Sequence, residues 1–186
     1  MEKRITTPFT KEVVKDLHSG DYVYISGTIY SARDAAHKRM YESMENGQQF
    51  PFDIKDNVVY YLGPTPAREG QVIGSAGPTT ASRMDKYTPK LLDAGLSGMI
   101  GKGKRSQEVI DAIVRNKGVY FAAVGGAGAL LSKCIKKSEV IAYDDLGTEA
   151  IRKMEVEDFP VIVVIDSEGN NLYETAVKQY LSNVEK

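Results

Sequence analysis

Ser97-Gly98-Met99-Ile100-Gly101-Lys102-Gly103-Lys104-Arg105-Ser106 decides the fold class. A short apolar run, Ser97 to Ile100, stops at a lysine flanked by glycines, and a segment of helical apolar spacing, Ser106 to Asn116, follows. Strand, tight turn and helix in that order form the repeating unit of an α/β protein. The same rhythm continues downstream. Strands are expected at Val119 to Val124, Val140 to Tyr143 and Val161 to Asp166, with helices at Ala129 to Lys136 and, briefly, near Gly147 to Lys153. Asp166-Ser167-Glu168-Gly169-Asn170 reads as a turn into a final strand or helix around Leu172 to Leu181. Short apolar strands alternating with helices imply a partly parallel sheet covered on both faces.

Upstream, Tyr22 to Tyr30 and Val58 to Leu62 are rich in β-formers, and Val72 to Ala76 suggests a third strand. Ser31 to Asn46 has helical character, with Ser31 as N-cap, Asp34 three residues on as a weak capping box, and Gly47 as the stop. The expectation is an α/β fold: a single domain over residues 1–186, with a mixed sheet and helices on both faces.

Lysine and arginine number 24 against 25 acidic residues, for a net charge of -1. That balance gives no bulk electrostatic case for nucleic acid or an anionic membrane, so any anion site must be local. The most apolar stretch, Val119 to Leu131, is interrupted by three glycines and falls short of the ~20 residues a membrane span needs. Met1-Glu2-Lys3-Arg4 lacks the apolar segment of a signal peptide, so a soluble cytoplasmic protein is expected. The one cysteine, Cys134, excludes an internal disulfide and an iron-sulfur cluster held by this chain's thiolates alone.

In open α/β sheets, ligands gather where strands end and helices begin. Four such junctions carry chemistry: Ser31-Ala32-Arg33, Gly77 to Arg83, Gly101-Lys102-Gly103 and Gly125-Gly126-Ala127-Gly128. In Gly77-Pro78-Thr79-Thr80-Ala81-Ser82-Arg83, Pro78 suits a first helical position and Thr79 and Arg83 would share one helical face. An arginine there opposes the helix dipole, and a bound carboxylate would offset the cost. The alternative is a surface arginine paired with Asp85 or Glu69. Arg33, expected in the first turn of the Ser31 to Asn46 helix and again against its dipole, faces the same choice between ligand and surface ion pair.

Gly101 to Ser106 is no phosphate loop, because a Walker sequence needs glycine where Leu96 stands and a hydroxyl where Gly103 stands. Lys102, between two glycines, is the functional candidate of the turn; Lys104 and Arg105 read as solvated. Gly126 to Leu131 imitates a dinucleotide fingerprint with Asp144 as its acid, but Leu131 replaces the third glycine, and close helix packing is the competing reading. His18 and His37 receive no catalytic role, Asp144-Asp145 lacks a third metal ligand, and Cys134 reads as a small buried hydrophobe.

Arg33, Arg83, Lys102 and Thr79 together offer three cations and a hydroxyl, which suits a small dicarboxylate. No metal-ligand cluster and no Ser/His/Asp or Cys/His arrangement accompanies them, so this surface binds and orients without activating a leaving group by itself.

The runs Ser31-Ala32-Arg33-Asp34-Ala35-Ala36-His37, Gly63-Pro64, Gly77-Pro78-Thr79-Thr80 with Arg83-Met84-Asp85, Gly101-Lys102-Gly103, Leu146 to Ile151 and Glu155 to Pro160 resemble one family. It is the β subunit, or C-terminal domain, of class I fumarate hydratases and the related tartrate dehydratases. The resemblance covers about Gly20 to Tyr173. It implies a swivelling β/β/α domain that works in a hetero-oligomer. Its α-subunit partner holds an oxygen-sensitive [4Fe-4S] cluster whose open iron is a Lewis acid; this chain binds none. The implied reaction is hydration of fumarate to L-malate, a step of the tricarboxylic acid cycle, or dehydration of tartrate. Arg33, Arg83 and Lys102 would grip the dicarboxylate, and Thr79 would move the proton on carbon. Lys104 departs from relatives, which often carry asparagine there.

Overall fold

The computed structural model of the chain describes residues 2–124 and 128–185. Strands β1 (Glu2–Thr6), β2 (Tyr22–Ser31), β3 (Val58–Tyr60), β4 (Gly98–Gly101), β5 (Val119–Ala123), β6 (Ile135–Ala142) and β7 (Ile151–Ile165) form one mixed sheet in the order β1-β2-β3-β4-β5-β7-β6. β1 through β5 pair in parallel, while β7 runs antiparallel to β2, β5 and β6. Because β7 pairs with both β5 and β2, the circuit β2–β3–β4–β5–β7 closes on itself. Closure leaves no open edge on the ring.

That closure explains two departures from the sequence reading. Val72 to Ala76 has β-like composition but forms no strand, since both edges of β3 are already taken by β2 and β4. It runs instead as one arm of a loop whose neck is tied by the Thr65 amide to the Ser75 carbonyl at 3.2 Å and by the Ser75 amide to Thr65 Oγ1 at 2.7 Å. The short helix expected near Gly147 to Lys153 is replaced by a 3-10 turn over Asp144–Glu149 and then β7, whose fifteen residues begin ten before Val161. The charged run Glu155-Val156-Glu157-Asp158 hides this strand from local propensity. Pairing with β2 on one side and β6 on the other overrides that composition, with Met154, Val156, Phe159 and Val161 buried.

Helices α1 (Lys11–Lys15), α2 (Asp34–Glu45), α3 (Thr88–Asp93), α4 (Gln107–Asn116), α5 (Gly128–Ser132) and α6 (Leu172–Val184) complete the fold. α4 starts as expected, with Ser106 as its N-cap accepting from the Val109 amide. α2 starts three residues after Ser31, which stays in β2. α5 is shorter than expected because β6 already begins at Ile135.

Alternation along the buried strands feeds two cores. Val58, Tyr60 and Leu62 join Ile100, Phe121, Phe159 and Val163 on one face, with Val14 of α1 and Leu131 of α5. Val59 and Tyr61 join Met99, Tyr120 and Val164 on the other, with Met40 of α2, Leu91 and Leu92 of α3, and Val109 and Ile113 of α4. Helices thus cover both faces, as the rhythm of the sequence implies. Among the described residues no helix is long and apolar enough to cross a membrane. For function the decisive feature is that β2, β3 and β4, parallel neighbours, release their chains at one edge of the sheet.

Candidate active site

The chain leaves β2 still tied to β3 by the Ala32 amide on the Tyr60 carbonyl at 3.0 Å, and Arg33 follows as the N-cap residue of α2. It stands in extended conformation and not in the first helical turn. Its Nε lies 3.3 Å from both Asp34 Oδ1 and Glu149 Oε1. Glu149 also accepts from the Ala35 amide at 3.2 Å, which fixes the carboxylate at the start of α2. The guanidinium arm crosses Gly63: a Cβ there would sit 2.7 Å from Arg33 Cδ and 3.2 Å from Nη1. Only glycine leaves that passage open.

The stretch from Gly77 behaves differently from its expected helix. Thr79 donates its amide to the Tyr61 carbonyl at 2.8 Å, Thr80 forms a parallel bridge with Lys102, and the Ala81 amide reaches the Lys102 carbonyl at 2.9 Å. A 3-10 turn over Ala81–Met84 follows. Pro78 and Thr79 therefore lie in an extended strap, and the proposed carboxylate site on free helical amides does not form. Strand-like pairing with the turn after β4 has taken up those donors. The same pairing lays the strap that carries Thr79 alongside the turn that carries Lys102, and Arg83 faces α2, where its Nη1 lies 3.9 Å from Asp34 Oδ2. Asp34 thus stands between Arg33 and Arg83, whereas Asp85 is engaged elsewhere. The loops that carry the four expected residues adjoin at one edge of the sheet. Among the described residues, Thr79 Oγ1 has no hydrogen-bond partner and Lys102 Nζ no ion pair.

The glycines around Lys102 have separate duties. At Gly101 a Cβ would lie 2.7 Å from the Tyr61 ring and 3.2 Å from Ala81 Cβ, so glycine lets the three loops close together. Gly103 turns the chain with a φ of +89°, a conformation glycine adopts without strain.

Arg105, expected to be solvated, is buried with a side-chain exposure of 0%. Its Nε donates to Asp85 Oδ1 at 2.7 Å, and its Nη2 donates to Thr88 Oγ1 at 2.9 Å and to the Tyr61 hydroxyl at 3.1 Å. The signal for this lay in position: a residue just before an N-cap packs back onto its helix, and Ser106 is that cap. Lys104 is exposed, as expected.

His37 is completely buried, with Nδ1 2.9 Å from the Arg33 carbonyl oxygen and its ring edge-on to Tyr61 at 5.3 Å. Burial, with a smaller contribution from Arg105, lowers its pKa to about 4 against the pull of the Arg33 carbonyl and Asp34. Asp145 takes a two-pronged pair from Arg39 at 2.7 and 2.8 Å. Cys134 is half-buried, and burial raises its thiol pKa. Among the described residues no group of three His, Cys, Asp or Glu is placed to hold a metal ion.

Gly125, Gly126 and Ala127 of the expected dinucleotide loop lie outside the described residues. At Gly128 the close-packing reading has direct support. A Cβ there would meet Ser75 Oγ at 2.3 Å and the Gly77 amide nitrogen at 2.7 Å, and the Gly128 carbonyl accepts from Ala76 at 3.1 Å. α5 is seated on the strap that carries Thr79.

Fold and site together define an α/β domain that gathers two arginines, a lysine and a threonine at the C-terminal edge of parallel strands. The chain belongs to the Fumarase C-terminus family, whose family model matches residues 2–176. It is 45% identical over 152 residues to the aerobic class I fumarate hydratase of Escherichia coli K12, a match covering 81% of this chain and 28% of that protein. Fumarate hydratase 2 of Leishmania major is 43% identical over 156 residues, covering 83% and 28%. The putative L(+)-tartrate dehydratase subunit beta of Methanocaldococcus jannaschii is 37% identical over 176 residues, covering 91% and 90%. The chain thus spans 28% of the length of these two fumarate hydratases and nearly all of the tartrate dehydratase subunit.

Proposed function

We propose that the chain is the carboxylate-gripping part of a two-part hydro-lyase that works in the cytoplasm, catalysing the reversible hydration of fumarate to L-malate. The observation that carries this reading is the stitching of three loops, bearing Arg33, Thr79 with Arg83, and Lys102, at one edge of the sheet. Family membership supports it. Tartrate dehydration is the second reading, favoured by the relative that matches this chain over nearly its whole length.

Each guanidinium presents paired N–H donors suited to two-pronged capture of a carboxylate, and Lys102 adds a point charge with no ion pair among the described residues. Asp34 and Glu149 hold Arg33 in line before substrate arrives, and Asp34 separates it from Arg83, which lowers the repulsion between like charges. Thr79 Oγ1 is the group assigned to move the proton on carbon. A threonine hydroxyl is a weak base, and the neighbouring Lys102 backbone bridge brings a cation-bearing loop alongside to stabilise its deprotonated form.

The residues of this chain do not suit a [4Fe-4S] cluster, because one half-buried thiol cannot supply the set of thiolates such a cluster needs. The cluster is assigned to the partner. The name of the Methanocaldococcus relative as a subunit beta, and the extra length of the fumarate hydratases, support a second polypeptide or domain.

The test is an anaerobic assay of this chain alone and with its cluster-bearing partner, against fumarate, L-malate and tartrate. Turnover only by the pair is the expected result. Substantial activity from the chain alone overturns the divided site, and a cluster-loaded pair inert toward all three acids overturns the hydro-lyase reading.

A further inference from the structure

Arg105 joins the two loops that carry Thr79, Arg83 and Lys102 to the end of β3, without lying among the gripping residues of the proposed dicarboxylate site. Its own backbone belongs to the turn bearing Lys102, three residues upstream. Its Nε binds Asp85, two residues after Arg83, and its Nη2 binds Thr88 just beyond. The same Nη2 reaches the hydroxyl of Tyr61, whose carbonyl holds the Thr79 amide. Asp85 completes the joint by accepting from the Ser106 amide at 2.8 Å. The guanidinium lies between the rings of Tyr61 and Tyr120, 5.2 and 4.7 Å from their centroids, and the Tyr120 hydroxyl donates to the Gly103 carbonyl at 2.8 Å.

We infer that Arg105, locked to Asp85, is a positioning residue that sets the spacing between Arg83, Thr79 and Lys102. This rests on the dicarboxylate reading of that site. A buried ion pair is a poor source of net stability, since well-packed apolar side chains often do as well. What it supplies here is geometry. The planar fork satisfies Asp85, Thr88 and Tyr61 in a single arrangement, which a lysine's single ammonium would not reproduce. Fumarate's trans double bond fixes the span between its two carboxylates, so cations that grip both must be fixed too. A displacement on the order of 1 Å at such a site is enough to cost about a hundredfold in turnover.

The experiment compares Arg105→Lys and the charge-free pair Arg105→Met with Asp85→Asn against the unaltered chain, each assembled anaerobically with the cluster-bearing partner. Steady-state kinetics and succinate inhibition are read on the folded, assembled fraction. The expected result is a rise of about tenfold or more in both KM and the inhibition constant for succinate, in each variant. If KM and succinate inhibition are unchanged and only the amount of assembled enzyme falls, Arg105 is structural and the inference is overturned. If Arg105→Lys fails to assemble, the charge-free pair decides alone. An unaltered assembly that is inactive and blind to succinate overturns the dicarboxylate reading, and the inference falls with it.

Discussion

His37→Gln removes a titrating ring whose Nδ1 lies 2.9 Å from the Arg33 carbonyl oxygen. In the folded chain the ring is sealed from water, its Nε2 has no partner among the described residues, and its pKa lies at about 4 instead of 6.5. In the unfolded chain it titrates at its ordinary value. Between those two values the unfolded state carries the extra proton, so stability rises with pH across the window and is lost on acidification from 6.5 to about 4. At 1.36 kcal/mol per pKa unit, the lost stability amounts to about 3 kcal/mol. Glutamine can still donate toward the Arg33 carbonyl but cannot titrate. Urea unfolding of both proteins at intervals from pH 7.5 to pH 4 measures the effect, and titrating carboxylates common to both cancel in the difference. The unaltered chain is expected to lose about 3 kcal/mol more than the variant over that range, most of it below pH 6.5. Parallel stability curves would refute the reasoning, because they would mean that His37 is not desolvated in the folded state.

Three further outcomes follow from named contacts. Gly63→Ala places a methyl 2.7 Å from Arg33 Cδ, and should raise KM of the assembled enzyme about tenfold as the guanidinium is pushed aside; steady-state kinetics checks it. Gly128→Ala meets backbone at Gly77 as well as Ser75 Oγ, and should destabilise the chain by about 1–3 kcal/mol in chemical denaturation. Thr79→Val keeps shape while removing the hydroxyl, and should lower kcat at least about a hundredfold with KM little changed; stopped-flow or steady-state turnover of the assembled pair reads this directly.

The unit from Ser97 to Asn116 was legible because every local signal agreed: apolar run, glycine turn, N-cap and helical spacing. The placement of Arg33 and Lys102 was legible too, since each closely follows a strand. Their geometry was not. Pro78 and Thr79 carry the signature of a helix start, yet pairing with Lys102, distant in sequence, wins over local preference. The first ten residues of β7 were hidden for the same reason: this charged stretch is held by strands on both sides, which no local window contains, whereas its apolar end from Val161 was legible. Arg105 was misread because a basic turn looks solvated unless Asp85, twenty residues earlier, is known to face it.

The central claim is that this chain grips the substrate while a partner supplies the rest of the chemistry, and Arg83→Ala tests it most directly. Arg83 has a side-chain exposure of 54% and, among the described residues, only a long ion-pair contact to Asp34, so its loss should change folding stability by no more than about 0.5 kcal/mol. Loss of a charge-assisted carboxylate contact should lower kcat/KM of the anaerobically assembled enzyme by roughly 10- to 100-fold. Turnover that survives nearly intact, together with a clear fall in thermal stability, would contradict the account and make Arg83 a structural cation.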